Sequence, residues 1–194
     1  TQDFVAAALL FRQNGEYMAM HHSWVCKRSN DLPRIRAPLD EWEQMGILEY
    51  VDDVEIHPSL VCDWIYEQMA EYDVLGGAID FYRHTTFMRA LDEIGFSAKE
   101  KTVKLARPSH LMQVQPVINS AFLNGAIAWG EDPMMRWYTN NVKLVASDHG
   151  NYSYEKIEPK SRKTDGFMAL AAAFTVADQL PETSEIEFMA PLTF

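Results

Sequence analysis

Cysteine is scarce in this 194-residue chain. Cys26 and Cys62 are the only two, and they form no CxxC pair. That spacing excludes a disulfide framework and a zinc knuckle, and a reducing, intracellular setting is the expectation. The six histidines, at 21, 22, 57, 84, 110 and 149, make no HExxH or HxxxH pattern, which argues against a zinc hydrolase. No GxxxxGK[ST] loop, GxSxG elbow or papain-like cysteine context occurs, so P-loop ATP hydrolysis and serine or cysteine hydrolase chemistry have no footing. Long apolar runs are absent too. The longest, Phe167 to Ala177, is 11 residues and contains Thr175, about half of what a membrane span needs. No basic stretch precedes the apolar run Val5–Phe11, so a signal peptide is not expected.

Positive charge is also in short supply. Lys and Arg total 17 against 28 Asp and Glu, a net charge of −11. Phosphate neutralisation supplies most non-specific nucleic-acid affinity. A chain this acidic grips DNA only where its cations are clustered, or where something else delivers the DNA. What the sequence does have is a globular balance, 47% hydrophobic and 23% charged. That is enough for a sizeable core in one domain of ordinary size.

The apolar pattern predicts mixed α/β structure. Phe4–Phe11 and Glu16–Trp24 flank Asn14-Gly15, a strong hairpin signal. Ser29–Pro38 is loop-like. Leu39, Trp42 and Met45 mark a short helix closed by Gly46, and Ile47–Val51 reads as a strand. Pro58 opens a helix striped by Leu60, Val61, Trp64, Ile65 and Met69, and Val74–Ile79 is a short buried strand. Thr85 or Thr86 caps a helix that Gly95 ends. Lys99–Leu105 is a polar, edge-type strand, Pro116–Leu123 is helical or is entered earlier with a kink at Pro116 and stops at Gly125, and Asp132-Pro133 starts a helix that stops near Asn140-Asn141. Val142–Ala146 is a strand, Asp148–Gly150 a turn and Tyr152–Ile157 a strand or extended loop. Thr164–Leu180 is expected as the last and longest helix. A hairpin followed by alternating strands and helices implies a mixed central sheet with helices on both faces.

Three carboxylates occupy special places. Asp80 follows the apolar run Val74–Ile79, and ligands in open α/β sheets collect beyond the carboxyl ends of strands. The alternative is a strand-end Asp that caps the next turn or pairs with Arg83. Asp165 opens the last helix, where the helix dipole favours an ionised carboxylate by about 0.3–1 kcal/mol; an acidic first turn is also common in any helix. Gly166, beside it, costs up to about 1 kcal/mol in a helix and suits a place where something approaches the backbone. Asp3 starts the first strand, or is a solvated residue near a terminus. Rigid carboxylates without zinc-type ligands suit Mg²⁺ or Mn²⁺, and a pair of such ions can activate water at a phosphodiester. Lys156, Lys160, Arg162 and Lys163 lead into Asp165. They would cradle a phosphate backbone, or form a solvated lysine-rich loop.

Other features read more simply. Asp52-Asp53, Glu41 and Glu43 look like solvated faces or caps. Met134, Met135 and Trp137 look like core, and His21-His22 looks structural or exposed. Tyr152 and Tyr154 are either base-stacking or ordinary strand aromatics.

Four segments carry a resemblance. They are Glu131-Asp-Pro-Met-Met-Arg-Trp-Tyr-Thr-Asn-Asn-Val-Lys-Leu144, Asp148-His-Gly-Asn-Tyr152, Glu155-Lys-Ile157, and Lys163-Thr-Asp-Gly-Phe-Met-Ala-Leu-Ala-Ala-Ala-Phe174. Together they resemble the NPxxRWxxxN…DxxGN…K…KIDGxxA pattern of the C-terminal nuclease domain of tailed-phage terminase large subunits. Gly77-Ala-Ile-Asp-Phe-Tyr-Arg83 resembles that family's mid-domain acidic strand end. Asp3-Phe-Val-Ala6 resembles the D-[LF]-T-A that opens its second strand, and Leu39–Leu48 is family-like too. The combined C-terminal motif is specific, whereas each piece alone is weak.

The resemblance implies an RNase H-like fold and a metal-dependent endonuclease that cuts concatemeric double-stranded viral DNA during genome packaging. By position, Asp80 and Asp165 match catalytic acids and Asp3 an additional acid near the metals. Lys156 and Lys163 match basic positions facing DNA, with Lys160 and Arg162 beside them. It implies Mg²⁺ or Mn²⁺ as cofactor, two ions together. The implied partners are DNA, the terminase ATPase domain, portal protein and the small terminase subunit, in the host bacterial cytoplasm at the procapsid, with no membrane. The family's first catalytic Asp sits in a GxDLS strand just ahead of the Asp3 equivalent. Residues 1–194 therefore read as one nuclease domain with its first strand missing upstream, no ATPase domain, and a C-terminal extension at 181–194. Thr164 replaces the usual Ile. A non-catalytic DNA-binding or docking module, or another RNase H-like enzyme such as a resolvase or transposase, are the alternatives.

Overall fold

The computed structural model describes residues 3–80, 84–96, 102–146 and 152–181. It opens with an antiparallel hairpin of β1 (Phe4–Gln13) and β2 (Glu16–Cys26), with Gln13 opposite Glu16 and Phe4 opposite Val25. Asn14 has φ 51° and Gly15 φ 81°, the two positive angles that a type I′ turn demands. One 3-10 turn, Leu32–Arg34, lies inside the segment expected as loop. After α1 (Leu39–Gln44), β3 (Leu48–Val51) runs parallel to the end of β2, with Ser23 opposite Leu48.

Then come α2 (Pro58–Met69), β4 (Gly76–Asp80), α3 (His84–Glu93) and β5 (Thr102–Ala106); β5 is parallel to β4, with Asp80 opposite Ala106. Helix α4 (Pro108–Leu123) is the longest described, at 16 residues. It starts eight residues before Pro116, which the chain tolerates inside it, because Pro108 already fits a first turn. A two-residue strand, β6 (Ile127–Ala128), pairs with Tyr17 and Met18 of β2; it is too short for any periodic signal. Helix α5 (Pro133–Asn140) precedes the antiparallel pair β7 (Val142–Ala146) and β8 (Tyr152–Lys156). The expected turn at Asp148–Gly150 and the start of the strand expected from Lys99 lie outside the described residues.

The last helix, α6, is Asp165–Phe174, ten residues rather than a helix reaching Leu180. The Thr175 hydroxyl donates back to the Ala172 carbonyl at 2.7 Å, and Lys104 Nζ donates to the Thr175 carbonyl at 3.1 Å. Side-chain competition for backbone groups of this kind shortens helices. The chain tightens into a 3-10 turn, Ala177–Gln179, before Pro181.

Side chains alternate between two cores. Phe4, Ala8, Leu10 and Val25 pack with α5 and α6 through Met134, Met135, Tyr138, Phe167 and Leu170. Val5, Ala7, Trp24 and Cys26 pack on the other face with Val61, Trp64 and Ile65 of α2. Helices thus cover both faces of the sheet, as the RNase H-like expectation requires. Each fully buried large side chain contributes about 1.5–3 kcal/mol, so the hairpin is fixed from both sides.

The strands do not form one continuous sheet. β1 pairs with β2, β4 pairs with β5, and no ladder joins β1 to β4. Between those edges lies a cavity of about 660 Å³, lined by β1 from Phe4 to Phe11 and by residues 73–80. The Phe11 and Tyr72 rings meet edge-on across one end, with centroids 5.0 Å apart. The residues of β1 after Phe4 stay only half-buried, although a run as apolar as Val5–Phe11 is typical of a strand covered on all sides.

Candidate functional site

Asp80 is the last residue of β4 and is exposed; Asp165 is the first residue of α6. They are 85 positions apart in sequence, yet both line the slot cavity, together with Lys156 and Thr164. Topology explains why both face it. A strand's carboxyl end and a helix's amino end both deliver short side chains to one edge of an α/β layer. Asp165 keeps some exposure as a residue, but its Oδ2 is shut off from solvent and has no hydrogen-bond partner among the described residues. Burial pushes its carboxyl above the usual carboxylate range. The Lys156 cation pulls against that rise, the Asp3 charge adds to it, and Lys163 opposes it. A buried polar atom without a partner costs about 1–3 kcal/mol and marks a place where something else belongs.

Asp3 and Lys163 are held together a short way off. The Lys163 ammonium, whose side chain is 2% exposed, pairs with Asp3 Oδ2 and with Asp31 Oδ2, the latter at 2.9 Å. Ser29 Oγ donates to Asp3 Oδ1 at 2.7 Å, and Asn141 Nδ2 donates to the Lys163 carbonyl at 2.8 Å. Burial draws the Lys163 ammonium down, but its bonds to Asp3 and Asp31 outweigh this and its pKa is raised. The same bond, first of all, lowers Asp31. Lys163 was expected to face DNA; instead it is a buried pin between the loop at 27–38, the start of β1 and the approach to α6. Of the other cations, Lys160 and Arg162 are exposed and Lys156 is half-buried at the cavity.

A second buried network was not legible in the sequence. Asp132 Oδ1 caps α5 through the Met135 amide at 2.9 Å, while Oδ2 takes His21 Nδ1. His21 Nε2 lies 3.1 Å from Ser23 Oγ, which lies 3.0 Å from the Tyr138 hydroxyl. Ser23 and Tyr138 are 0% exposed. Burial, and next the Asp165 charge, push the Tyr138 phenol well above its ordinary value. The only sequence hint was the i, i+2 spacing of His21 and Ser23 on one strand face.

Among the described residues, no group of three or more His, Cys, Asp or Glu side chains converges as a metal-binding cluster. The two carboxylates on the cavity still suit a hard cation. Mg²⁺ is commonly held by one or two carboxylates, with waters and substrate phosphates completing its shell, and Asp165 Oδ2 is an oxygen donor lacking a partner.

The architecture is therefore a mixed α/β fold of the RNase H-like class. No protein-family model matches the chain. The chain is 26% identical over 144 residues, 74% of its length, to a terminase large subunit from Enterobacteria phage HK97. It spans only 28% of that relative's length. The crystal structure of the HK97 bacteriophage large terminase superposes with a TM-score of 0.75 at 21% identity, covering 91% of this chain and 40% of that one. The large terminase nuclease from thermophilic phage G20c aligns at a TM-score of 0.49 and 13% identity, over 93% of this chain and 85% of that one. The resemblance read from the sequence motifs thus returns as similarity to terminase large subunits, in sequence and in fold.

Proposed function

We propose that this chain is the nuclease part of a phage large terminase and cuts concatemeric double-stranded DNA during genome packaging. The observation that carries the proposal is the shared position of Asp80 and Asp165 on one cavity, with Asp165 Oδ2 buried and without a partner among the described residues. Asp80 and Asp165 would hold Mg²⁺ or Mn²⁺, and two ions would let water attack a phosphodiester while the leaving oxygen is stabilised. Lys156, at the cavity, opposes by its charge the rise that burial imposes on the Asp165 carboxyl. Lys160 and Arg162, both exposed, meet the DNA backbone. Asp3 supports the site through Lys163 rather than as a free ligand.

The slot belongs to the same proposal. Two strand edges face each other across an apolar cavity, and an extended segment seated there would complete both ladders. That segment is the upstream first strand that the terminase resemblance implies, and it would bring the further acid. The proposed partners are the ATPase domain of a longer chain, portal protein and the small subunit, at the procapsid in the host cytoplasm. The alternative, a non-catalytic docking module, is favoured by the absence of a third acidic ligand among the described residues.

The deciding experiment uses the chain extended upstream to its full natural length, supercoiled plasmid and Mn²⁺. Cutting that is abolished by Asp165→Asn and by Asp80→Asn, with an unchanged circular dichroism spectrum, supports the nuclease. Cutting that persists in both variants overturns it. DNA or portal binding without metal dependence or cutting selects the docking module.

A further inference from the structure

We propose that Tyr138, Ser23, His21 and Asp132 form a buried positioning device for Asp165. The inference rests on the reading of Asp165 as a metal ligand. Connectivity alone would suggest an Asp–His–Ser hydrolase triad. That reading fails because Ser23 is 0% exposed and its hydroxyl is already engaged by Tyr138, so no substrate reaches it.

The network instead ends at the first turn of α6. The Asp132 carboxylate accepts only, so it selects the His21 tautomer with hydrogen on Nδ1 and leaves Nε2 to accept. With the imidazole neutral, Ser23 donates to Nε2 at 3.1 Å and the Tyr138 hydroxyl donates to Ser23 at 3.0 Å. The Tyr138 ring is thereby locked in angle, with the His21 ring edge-on at 5.8 Å. Its Cδ2 and Cε2 occupy the space that a Gly166 Cβ would take, at 2.3 and 2.7 Å.

Asp165 has little other support: its carboxylate is bonded by its own backbone amide, but its Oδ2 has no hydrogen-bond partner among the described residues, and its neighbour Gly166 gives the backbone no side chain to pack with. The place where the carboxylate stands is therefore set by where the Tyr138 ring holds the backbone of the first turn. Asp132 completes the device, because its two oxygens tie α5 to β2. Tyr138, Ser23, His21 and Asp132 are positioning residues, and none of them touches substrate.

The test follows the Asp165 side-chain carboxyl carbon by NMR, in this chain and in Tyr138→Phe, His21→Asn and Val117→Ala, with melting temperature and Mn²⁺-induced line broadening at Asp80 and Asp165. Val117 lies on the exposed side of α4 and serves as control. Tyr138→Phe keeps the wedge and releases the tether. Both Tyr138→Phe and His21→Asn are expected to shift or broaden the Asp165 carboxyl line and to weaken Mn²⁺ binding about 10-fold, as loss of supporting bonds does at metal sites. Val117→Ala should do neither. An unchanged Asp165 line in both variants, whatever the melting temperature does, overturns the device. Absence of Mn²⁺ broadening in the parent chain and in the upstream-extended chain would instead remove the metal reading, while the Asp165 line still decides the positioning.

Discussion

The Tyr138 ring fills the space above Gly166: a Cβ there would stand 2.3 Å from Cδ2 of Tyr138, and 3.1 Å from the Met135 sulfur. Tyr138 and Met135 are both 0% exposed, so neither can swing into solvent. Gly166→Ala should therefore overpack the junction of α5 and α6. Overpacking costs about 1–3 kcal/mol, and a domain of this size loses about 2–4 °C of melting temperature per kcal/mol. Calorimetry checks it. A double variant with Tyr138→Leu should recover part of the loss, since the ring atoms that clash are gone; strictly additive losses would show that the clash is relieved elsewhere.

Lys163 holds three pieces of chain together, and its removal should be felt as a fold defect before it is felt on DNA. Lys163→Met leaves Asp3 and Asp31 without their cation. Those carboxylates keep about a third of their side-chain exposure and can rehydrate, so the cost falls at about 1–2 kcal/mol, below that of a fully buried broken pair. Lys160→Ala and Arg162→Ala change exposed cations and should leave the melting temperature alone. Each should reduce the salt slope of DNA binding by about 1. The reverse ranking, with Lys163→Met changing the slope and not the stability, would put Lys163 back on the DNA face.

The contrast between Lys163 and its neighbours shows what was legible in the sequence. Asn14-Gly15 fixed its hairpin because a type I′ turn is a local backbone demand met by two adjacent residues. Asp80 and Asp165 could be singled out because a strand end and a helix start are visible as pattern boundaries. Lys163 could not be separated from Lys160 and Arg162 in the same run, because its burial depends on Asp3 and Asp31, over 130 positions away. Tyr138 was hidden for the same reason: its hydroxyl partner Ser23 sits on the opposite end of the chain. The end of α6 at Phe174 rather than Leu180 was set by Lys104 reaching the Thr175 carbonyl, a contact that helical periodicity does not encode.

Asp31 gives a pH signature of the same pin. The bond from Lys163 lowers its pKa from 3.8. A carboxylate with a depressed folded value contributes stability that is present above its unfolded pKa and lost as pH falls through the folded one. Asp31→Asn should therefore melt below the parent at pH 6, and the gap should close as pH is taken below 3.8. Melting curves against pH for the two proteins test this; a gap that stays constant into acid would mean that the loss is packing rather than charge.

Both thiols should be silent in the native chain. Cys26 and Cys62 are each 1% exposed, and burial, helped by the Asp63 and Glu93 charges, pushes the Cys62 thiol up to about 12. Thiolate is the reactive form of Cys62 and the Cys26 sulfur is shielded by burial, so Ellman's reagent at pH 8 should titrate neither cysteine until denaturant is added, and then both. Rapid native labelling of Cys62 would mean that the α2–α3 layer opens on the timescale of the assay.

The slot makes the most direct prediction about the fold. β1 pairs with β2 along one edge, and its other edge faces the cavity. Alternate amides between Val5 and Leu10 point away from β2, and in this chain they should exchange hydrogen much faster than the interleaved amides that bond β2. An added strand would satisfy them. Extending the chain upstream should slow exchange at those β1 positions and along Gly76–Asp80 together, because one strand would complete both ladders. It should also raise the melting temperature, as an apolar edge is removed from water. Protection of β1 without β4 would mean that the added segment pairs with one edge of the slot and does not bridge it.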